Sequence, residues 1–326
     1  MITSEWPDPG AAATTNFIRR QAEFLSAAGV SVDVFAFRGH KRPLNYLAAW
    51  TKIWPKIDRS RYDVVHAQFG QSGLLALPRR LPLVVTLRGS DLLGIVSDRR
   101  GRHTLRGRFL QSATKLVARK ADAVIVVSEH MRDHLRTRAP VHVIPSGIDL
   151  DRFKAMPQDE ARRLLGFDPQ AKLVLFVGRT HQARKRYALA QKAVDLLNDR
   201  LPAKLVVAWG VPHDKIPLYM SAADVLVVTS MQEGSPNVVK EALACDLPVV
   251  SVAVGDVPER LRGVAGTEVC VDDRPETIAA ALERVLRRGG RIDGRSAVQQ
   301  LDERLLTDRV IEVYRSVLRK RSAKRS

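Results

Sequence analysis

The chain has few of the features that mark specialised classes of protein. It contains two cysteines in 326 residues, too few for a disulfide framework, and neither has histidine neighbours at metal-ligand spacing. Cys245 lies in a helical pattern and Cys270 in a strand pattern, so we expect two buried thiols. His66, at the end of a predicted strand, is expected to be a core histidine with its hydrogen bonds made. We expect no catalytic metal and no bound cofactor.

Long apolar runs and a leader sequence are also missing. No stretch approaches the roughly 18 uncharged apolar residues that a membrane span requires. The opening MITSEWPDPG has no basic stretch followed by an apolar one, which argues against a secretory signal. These absences predict a cytoplasmic protein, working free in the cytoplasm or at the inner face of the cell membrane.

Acidic residues are outnumbered, with 35 Asp and Glu against 53 Lys and Arg and a net charge of +18. This charge predicts an anionic partner. Segment 98–120 holds eight Lys or Arg residues among apolar residues at helical spacing, and it fits an anionic membrane surface, a lipid-diphosphate acceptor or simply a solvated helix face. Aromatic content is 6% and no nucleic-acid-binding module is recognisable, so we expect no nucleic-acid partner.

Continuous runs of Val, Ile and Leu alternate with helical patterns along the chain. Such runs are typical of parallel strands that helices cover on both faces. The predicted strands are 31–37, 62–67, 81–87, 121–128, 141–144, 171–178, 203–209, 223–230 and 247–254. The sequence therefore predicts an α/β protein with doubly wound parallel sheets.

Length and pattern together predict two such domains. A polar stretch without a strand pattern, 154–170, separates two rounds of strands. We therefore predict an N-terminal domain at 1–153, a C-terminal domain at 154–300, and a final helix with a basic tail at 301–326. Only MITS precedes the first turn, so the first strand is either shortened or begins upstream of Met1.

The stretch EGSPNVVKEALAC, residues 233–245, follows a predicted strand and has the pattern of a helix start. We predict Ser235 as the N-cap and Pro236 as the first helical residue. The amides of Asn237 and Val238 would then be free at the positive end of the helix dipole. This pattern predicts a phosphate site at the carboxyl edge of a parallel sheet.

Two carboxylates and a basic loop extend this pattern. Glu233 in the loop and Glu241 in the helix are placed to accept from hydroxyls on both sides of a diphosphate, as in a nucleotide sugar. Gly178 and Arg179 end the first predicted strand of the second domain, and Lys185 follows them. These cations could neutralise a diphosphate leaving group without a metal. The alternative is a capped helix with surface carboxylates and a solvated basic loop.

With these motifs, residues 171–260 resemble the nucleotide-binding domain of glycosyltransferase family four. The matching features are Gly178-Arg179, Lys185, the pair Glu233/Glu241 with GSPN between them, and GDVPE at 255–259. Residues 211–245 are most similar to members acting in teichuronic acid and other surface-polysaccharide synthesis. Looser similarity extends over the first domain through DVVHAQFG, VTLRGSDL, VIVVSEHM and VIPSGIDLDRF.

The resemblance implies a GT-B fold, with two Rossmann-like domains facing across a cleft, and a retaining, metal-independent transferase of the hexosyltransferase type. It implies a catalytic set of Arg179, Lys185 and Glu233. The implied donor-binding set is Gly178, Gly234, Ser235, Pro236, Asn237, Val238 and Glu241, with Glu233 at the donor sugar and Glu241 at the ribose. A UDP-sugar is favoured as donor, and a glycan or polyprenyl-linked molecule is the implied acceptor.

Three departures from the family pattern fall on the acceptor side. Arg88-Gly89 stands where the family usually has His-Gly, and Pro145-Ser146-Gly147 stands where it has Pro-Asn-Gly. The glycine-rich turn after the first strand is reduced to Gly10 followed by three alanines. Arg88 and Asp91 are the candidate acceptor-side residues.

Two other functions fit parts of the same pattern. A nucleotide-sugar epimerase of similar architecture would use the donor site without an acceptor and would release an isomerised sugar nucleotide. A basic nucleic-acid-binding protein would use the positive surface and would bind with a steep salt dependence.

Overall fold

The computed structural model describes residues 1–6, 16–39, 43–94 and 104–323. The chain packs as two compact units. Of these described residues, the first unit contains those up to Gly147 and those from Glu303 onward, and the second contains Ile148 to Asp302. The C-terminal helix therefore packs as part of the first unit.

The first unit is built on a six-stranded parallel sheet in the order β2-β1-β3-β4-β5-β6. Its strands are β1 Ile2–Thr3, β2 Phe35–Ala36, β3 Val65–Gln68, β4 Leu83–Leu87, β5 Ala123–Val126 and β6 Val141–Val143. Its helices are α1 Asn16–Ala27, α2 Pro43–Ile53, α3 Ser90–Leu93, α4 Leu105–Lys120, α5 Glu129–Asp133 and α12 Glu303–Ser322, with 3-10 turns at Trp54–Lys56 and Gly70–Ala76.

The second unit is built on a five-stranded parallel sheet in the order β11-β10-β9-β7-β8. Its strands are β7 Leu173–Val177, β8 Lys204–Ala208, β9 Val225–Val228, β10 Val249–Val252 and β11 Glu268–Cys270. Its helices are α6 Gln158–Leu165, α7 Tyr187–Asn198, α8 Ile216–Ala222, α9 Asn237–Ala244, α10 Val257–Leu261 and α11 Pro275–Arg288, with 3-10 turns at Ala183–Lys185, His213–Lys215 and Ser296–Leu301.

The prediction of doubly wound parallel sheets is confirmed. Each predicted apolar run overlaps a strand. The inner strands β3, β4, β5, β9 and β10 are buried because helices cover both faces of each sheet, whereas the edge strands β2, β6 and β8 are only partly buried. Strand β1, Ile2–Thr3, lies within MITS, where the first strand was expected. Strand β11 was not predicted, because Glu268–Cys270 is short and begins with a charged residue rather than forming a continuous apolar run. Helix α1 ends at Ala27, and Gly29, with φ of 85°, lies just beyond its end, a position that favours glycine.

Both cysteines are buried and free, as predicted. Burial raises the pKa of the Cys245 thiol to about 12 and that of the Cys270 thiol to about 11, so neither is a ready nucleophile. Across the described residues, no helix is both long enough and apolar enough to span a membrane.

His66 is a core histidine with its hydrogen bonds made, as predicted. Its Nδ1 lies 2.6 Å from the Tyr314 hydroxyl and its Nε2 lies 2.7 Å from Thr86 Oγ1. Burial lowers the pKa of His66 to about 3, so the imidazole is neutral. The Tyr314 contact fixes α12 to β3.

Candidate functional site

The sheet order of the second unit brings the motif residues together. Strands β7 and β9 are parallel neighbours, so their carboxyl ends lie side by side. Gly178 directly follows β7 and leads to the turn Ala183–Lys185, while Glu233 lies in the loop after β9. Two segments about 50 positions apart in sequence thereby form one edge of the sheet.

Hydrogen bonds join the Ala183–Lys185 turn to the loop after β9. The Met231 amide donates to the Arg184 carbonyl at 2.8 Å, and the Thr229 hydroxyl donates to the Lys185 carbonyl at 2.9 Å. Arg186, in the left-handed region with φ of 49°, donates from Nε to the Thr229 carbonyl at 2.6 Å. These bonds fix the backbone beneath the basic side chains.

Glu233 is held between two cations. Lys185 Nζ donates to Glu233 Oε1 at 2.8 Å, and Arg184 Nη1 lies 2.5 Å from Glu233 Oε2. Burial by itself would raise the pKa of Glu233, but the charges of Lys185 and Arg184 outweigh it and hold that pKa below its usual range. The carboxylate is therefore ionised at neutral pH. Arg184 is a member of this cluster that the sequence reading treated only as part of a basic loop.

Two glycines of the site have positive φ, a backbone conformation that other residues rarely adopt. Gly178 has φ of 148°, and a Cβ there would lie 3.6 Å from the Lys185 side chain. Gly255 has φ of 55°, and a Cβ there would lie 2.9 Å from the carbonyl oxygens of Glu233 and Gly234. The loop that carries Glu233 therefore rests directly on the backbone of the GDVPE segment.

The predicted N-cap at Ser235 is wrong. Helix α9 begins at Asn237, Pro236 occupies the N-cap position with no side-chain capping bond, and Ser235 is one residue further out. The Ser235 hydroxyl donates instead to Asp256 Oδ2 at 2.8 Å, an oxygen that also accepts from Arg260 Nε at 2.9 Å. The reason is that Pro236 is extended, with ψ of 116°, which moves Ser235 away from the helix amides.

The start of α9 still offers unsatisfied polar groups. The amides of Asn237 and Val238, its first two residues, have no carbonyl partner within the helix. Asn237 Oδ1 is also buried without a hydrogen-bond partner in the described part of the chain. This end of the helix therefore keeps the anion-binding character that the sequence predicted.

Glu241 lies deeper in α9 and is paired with a histidine. It is 5% exposed, and its Oε1 lies 3.1 Å from His213 Nε2. His213 stands at the edge of the Phe153 ring, 5.2 Å between centroids, and its Nδ1 is buried without a partner among the described residues. Nothing in the sequence indicated a role for His213, because the residues of this pair are 28 positions apart.

Arg179 differs from Lys185. Its side chain is exposed and makes no ion pair or hydrogen bond within the described ranges. The structure therefore brings Gly178, Lys185, Glu233 and Gly234 into contact but leaves Arg179 unpaired beside them.

The acceptor-side candidates lie in the first unit, where Arg88 forms a network. It donates from Nη1 to Ser146 Oγ at 2.7 Å and from Nη2 to Gln68 Oε1 at 2.7 Å and Gln21 Oε1 at 3.1 Å, and it stacks 4.5 Å from the Phe17 ring centroid. Burial lowers the pKa of Arg88 to about 10, so it stays charged at neutral pH. Two of the family departures, Arg88 and Ser146, thus contact each other.

Asp91 has a backbone role in the structure. It is 1% exposed, and its oxygens accept from the amides of Gly70, Arg88, Gly89 and Leu92 at 2.9–3.1 Å. Burial raises the pKa of Asp91 against the opposing effect of these amides. With its oxygens engaged in this way, Asp91 shapes the loop around Arg88. The third departure, Gly10 with its alanines, lies outside the described residues.

One histidine pair has a spacing that the sequence reading overlooked. His130 and His134 lie one helical turn apart, their rings are 4.5 Å apart between centroids, and His134 Nδ1 is 2.8 Å from the His130 carbonyl. Across the described ranges, no group of three or more His, Cys, Asp or Glu side chains is arranged to hold a metal ion.

Family models match both parts of the chain. The Glycosyltransferase Family 4 model matches residues 7–152, and the Glycosyl transferases group 1 model matches residues 206–288.

Two curated relatives have related names. A D-inositol 3-phosphate glycosyltransferase of Geodermatophilus obscurus is 34% identical over 275 residues, covering 70% of this chain and 60% of that protein. A Bacillus subtilis protein provisionally named as the teichuronic acid biosynthesis glycosyltransferase TuaC is 30% identical over 219 residues, covering 60% of this chain and 54% of that protein. The chain thus spans between half and two thirds of the length of these relatives.

Solved structures match over nearly the whole chain. Sucrose-phosphate synthase from Thermosynechococcus elongatus has a TM-score of 0.82 at 20% identity and covers 98% of each chain. Anabaena HepE, solved with UDP and glucose, has a TM-score of 0.71 at 17% identity and covers 97% of this chain and 98% of its own. These likenesses show that the chain has the GT-B fold, and the two family models together with the curated relatives show that it belongs to glycosyltransferase family four.

Proposed function

We propose that this chain transfers a sugar, with retention of anomeric configuration, from a nucleotide-diphosphate sugar to a glycan or polyprenyl-linked acceptor in surface-polysaccharide synthesis. A UDP-sugar is the favoured donor, no metal takes part, and the reaction takes place in the cytoplasm at the inner face of the membrane. The observation that carries the proposal is the cluster of Lys185, Arg184 and Glu233 beside the start of α9.

The comparisons support the donor class and the type of product. HepE, a structural neighbour, was solved with UDP and glucose. The curated relatives are named for glycosyl transfer to inositol 3-phosphate and for teichuronic acid biosynthesis, both of which are sugar transfers.

The contacts of Lys185 suggest how donor binding prepares the site. The Lys185 ammonium is paired with Glu233 Oε1 at 2.8 Å. A diphosphate at the start of α9 would meet the amides of Asn237 and Val238 and the unpaired Arg179, and it would compete with Glu233 for Lys185. When Lys185 binds the phosphates instead of Glu233, Oε1 of Glu233 becomes able to accept a hydrogen bond from a hydroxyl of the donor sugar. Arg184 then continues to hold the other carboxylate oxygen.

The chemical step follows from the same groups. The bond between the anomeric carbon and the phosphate oxygen breaks, and the acceptor hydroxyl oxygen bonds to that carbon on the same face. The hydroxyl proton passes to the departing phosphate oxygen, so a nucleoside diphosphate and a glycoside are released. Lys185, Arg179 and the α9 amides stabilise the negative charge that develops on the diphosphate, without needing to reorganise.

A donor-binding experiment tests the proposal. UDP-, GDP- and ADP-sugars are screened by thermal shift against the wild type, Glu241→Gln and the control Glu160→Gln, which changes an exposed carboxylate on α6. A UDP-sugar at 100 times its Kd should stabilise the wild type and the control by about 2.7 kcal/mol. Glu241→Gln should lose most of this effect because its amide is a weaker acceptor for the ribose hydroxyls. Equal stabilisation of both variants would overturn the assignment of Glu241.

Product analysis tests the reaction itself. Incubation with donor and a lipid-linked glycan, with and without EDTA, should give the same yield of glycoside with an unchanged anomeric configuration. An isomerised sugar nucleotide without transfer would instead support an epimerase. Loss of transfer in EDTA, restored by a divalent cation, would overturn metal independence.

A further inference from the structure

A basic groove lies at the opposite edge of the first sheet from Arg88. It has a volume of about 1150 Å³ and is lined by the segments that precede β4, β5 and β6, which places it at the amino ends of these strands. Eight Lys or Arg residues line it against a single acidic residue, Asp122. Asp122 is already bound to Arg79 at 2.5 Å, so the groove keeps a large excess of positive charge.

Four of these cations are available for a partner. Arg119, Lys120, Arg138 and Lys320 are exposed and have no ion pair or hydrogen bond from their side chains among the described residues. They come from α4, the segment before β6 and α12, three elements that meet at this edge. Like charges gathered without counter-charges are unfavourable in the free chain, so the arrangement suits an anionic surface.

Helix α4 adds an apolar stripe to the same surface. Its inner face packs on the Gly70–Ala76 turn so closely that a Cβ at Gly70 would lie 2.2 Å from Thr114 Oγ1. Its outer face exposes Leu105, Phe109 and Leu116, which are 83%, 61% and 47% accessible. Leucine and phenylalanine this exposed on one helix face are costly in water and indicate a covered surface.

The stripe and the groove are continuous. Leu116 and Arg119 belong both to the outer face of α4 and to the lining of the groove. The outer face also carries Arg108 and Lys115, and the helix sequence contains no acidic residue. Because α4 precedes β5 as a crossover helix, its C-terminal end lies at the amino edge of the sheet and Leu105 lies toward the carboxyl edge that holds Arg88.

We infer that the outer face of α4 and this basic groove form one surface that docks on a bilayer containing anionic phospholipid. Headgroup phosphates would meet Arg119, Lys120, Arg138 and Lys320, and the acyl boundary would cover Leu105, Phe109 and Leu116. A nucleic acid or an acidic protein would use the cations but leave the apolar stripe in water. The inference rests on the proposed function in one respect: a lipid-linked acceptor would explain why the protein docks on a membrane.

The test is sedimentation with vesicles of phosphatidylcholine alone and with 30% phosphatidylglycerol. The wild type should bind the anionic vesicles at least tenfold more tightly, and 1 M NaCl should weaken this binding. The double variant Arg119→Gln/Lys120→Gln should lose about tenfold or more in partitioning. The matched control Lys192→Gln/Lys204→Gln removes two exposed charges from the second unit and should bind as the wild type does. Equal partitioning of wild type and the Arg119/Lys120 variant would overturn the inference.

The variant Phe109→Ser distinguishes a bilayer from a polyanion as the partner of this surface. It should lower vesicle binding several-fold, because an exposed aromatic ring no longer enters the acyl boundary. If Phe109→Ser binds vesicles as tightly as the wild type does, and the protein also binds single-stranded RNA tightly, the inference is overturned in favour of a nucleic-acid-binding surface. UDP-sugar thermal shifts of the same variants should be unchanged, so failure of donor binding and failure of docking are distinguishable.

Discussion

Arg179 and Lys185 carry the same charge but have different surroundings. Lys185 is bound to Glu233, whereas Arg179 is exposed and unpaired in the described part of the chain. If the proposed diphosphate site is correct, we expect this unpaired cation to act in binding rather than in folding.

Arg179→Ala should therefore separate activity from stability. We expect kcat/KM to fall about 100- to 1000-fold, since one preorganised donor to the developing charge is lost. The free energy of unfolding should change by no more than about 0.5 kcal/mol. Arg262→Ala, another exposed and unpaired arginine of the second unit, is the control for both measurements. A large loss of stability with unchanged kinetics would contradict this reading.

The lowered pKa of Glu233 predicts how the free energy of unfolding depends on pH. Its folded pKa lies below the usual 4.5, so its contribution to stability is complete above that pH and is lost as the pH falls through the folded value. Glu233→Gln should cost about 1–2 kcal/mol at pH 7, a figure reduced by the partial exposure of Arg184. Urea titrations from pH 7 to pH 3.5 should show this difference constant down to about pH 5 and shrinking below it. A difference of the same size at pH 3.5 would contradict the ion-pair assignment.

At the scale of elements, the sequence placed α9 correctly but misassigned its first turn. The SPN pattern predicted a capped helix, whereas the buried carboxylate of Asp256 takes the Ser235 hydroxyl. Asp256 lies 21 positions away, so local pattern could not reveal this competition.

Ser235→Asp tests which partner matters. Aspartate is as good an N-cap as serine and would be tolerated if Ser235 capped the helix. In the observed structure it would bring a second carboxylate against Asp256, and we expect a loss of about 1–3 kcal/mol by thermal denaturation. Ser235→Asn, which keeps a donor toward Asp256, should cost less. Equal stability of Ser235→Asp and wild type would restore the capping assignment.

On the scale of the whole molecule, the C-terminal helix α12 packs in the first unit, with the N-terminal part of the chain. Arg20 donates to Glu303 at 2.8 Å and to the Gly147 carbonyl at 2.6 Å, both buried, and Tyr314 bonds to His66 on β3. The C-terminal helix is therefore a structural part of the unit that begins at Met1.

Tyr314→Phe should destabilise the first unit without affecting the second. Losing the hydroxyl leaves His66 Nδ1 buried without its partner, at a cost of about 1–3 kcal/mol. Hydrogen exchange should accelerate in β3 and α12 and stay unchanged in β7 and β9. Tyr187→Phe, which removes a helix-surface bond to Gln191 in the second unit, is the control. Uniform acceleration across both units would contradict this division.

The sequence by itself determined the class of fold and the family. Buried parallel strands have continuous apolar sequences, which indicated the class of fold. The motif formed by Gly178, Lys185, Glu233 and Glu241 is visible in the sequence, and it indicated the family. β11 could not be predicted, because Glu268–Cys270 is not a continuous apolar run.

Only the tertiary structure decided which polar and charged side chains pair with one another. The pairs Lys185–Glu233, His213–Glu241 and Arg88–Ser146 are 48, 28 and 58 positions apart. Sheet order and loop packing bring them together, and sequence spacing carries no record of that order. The physical reason is that hydrogen bonds and ion pairs act over a few ångströms in space, whatever the distance along the chain.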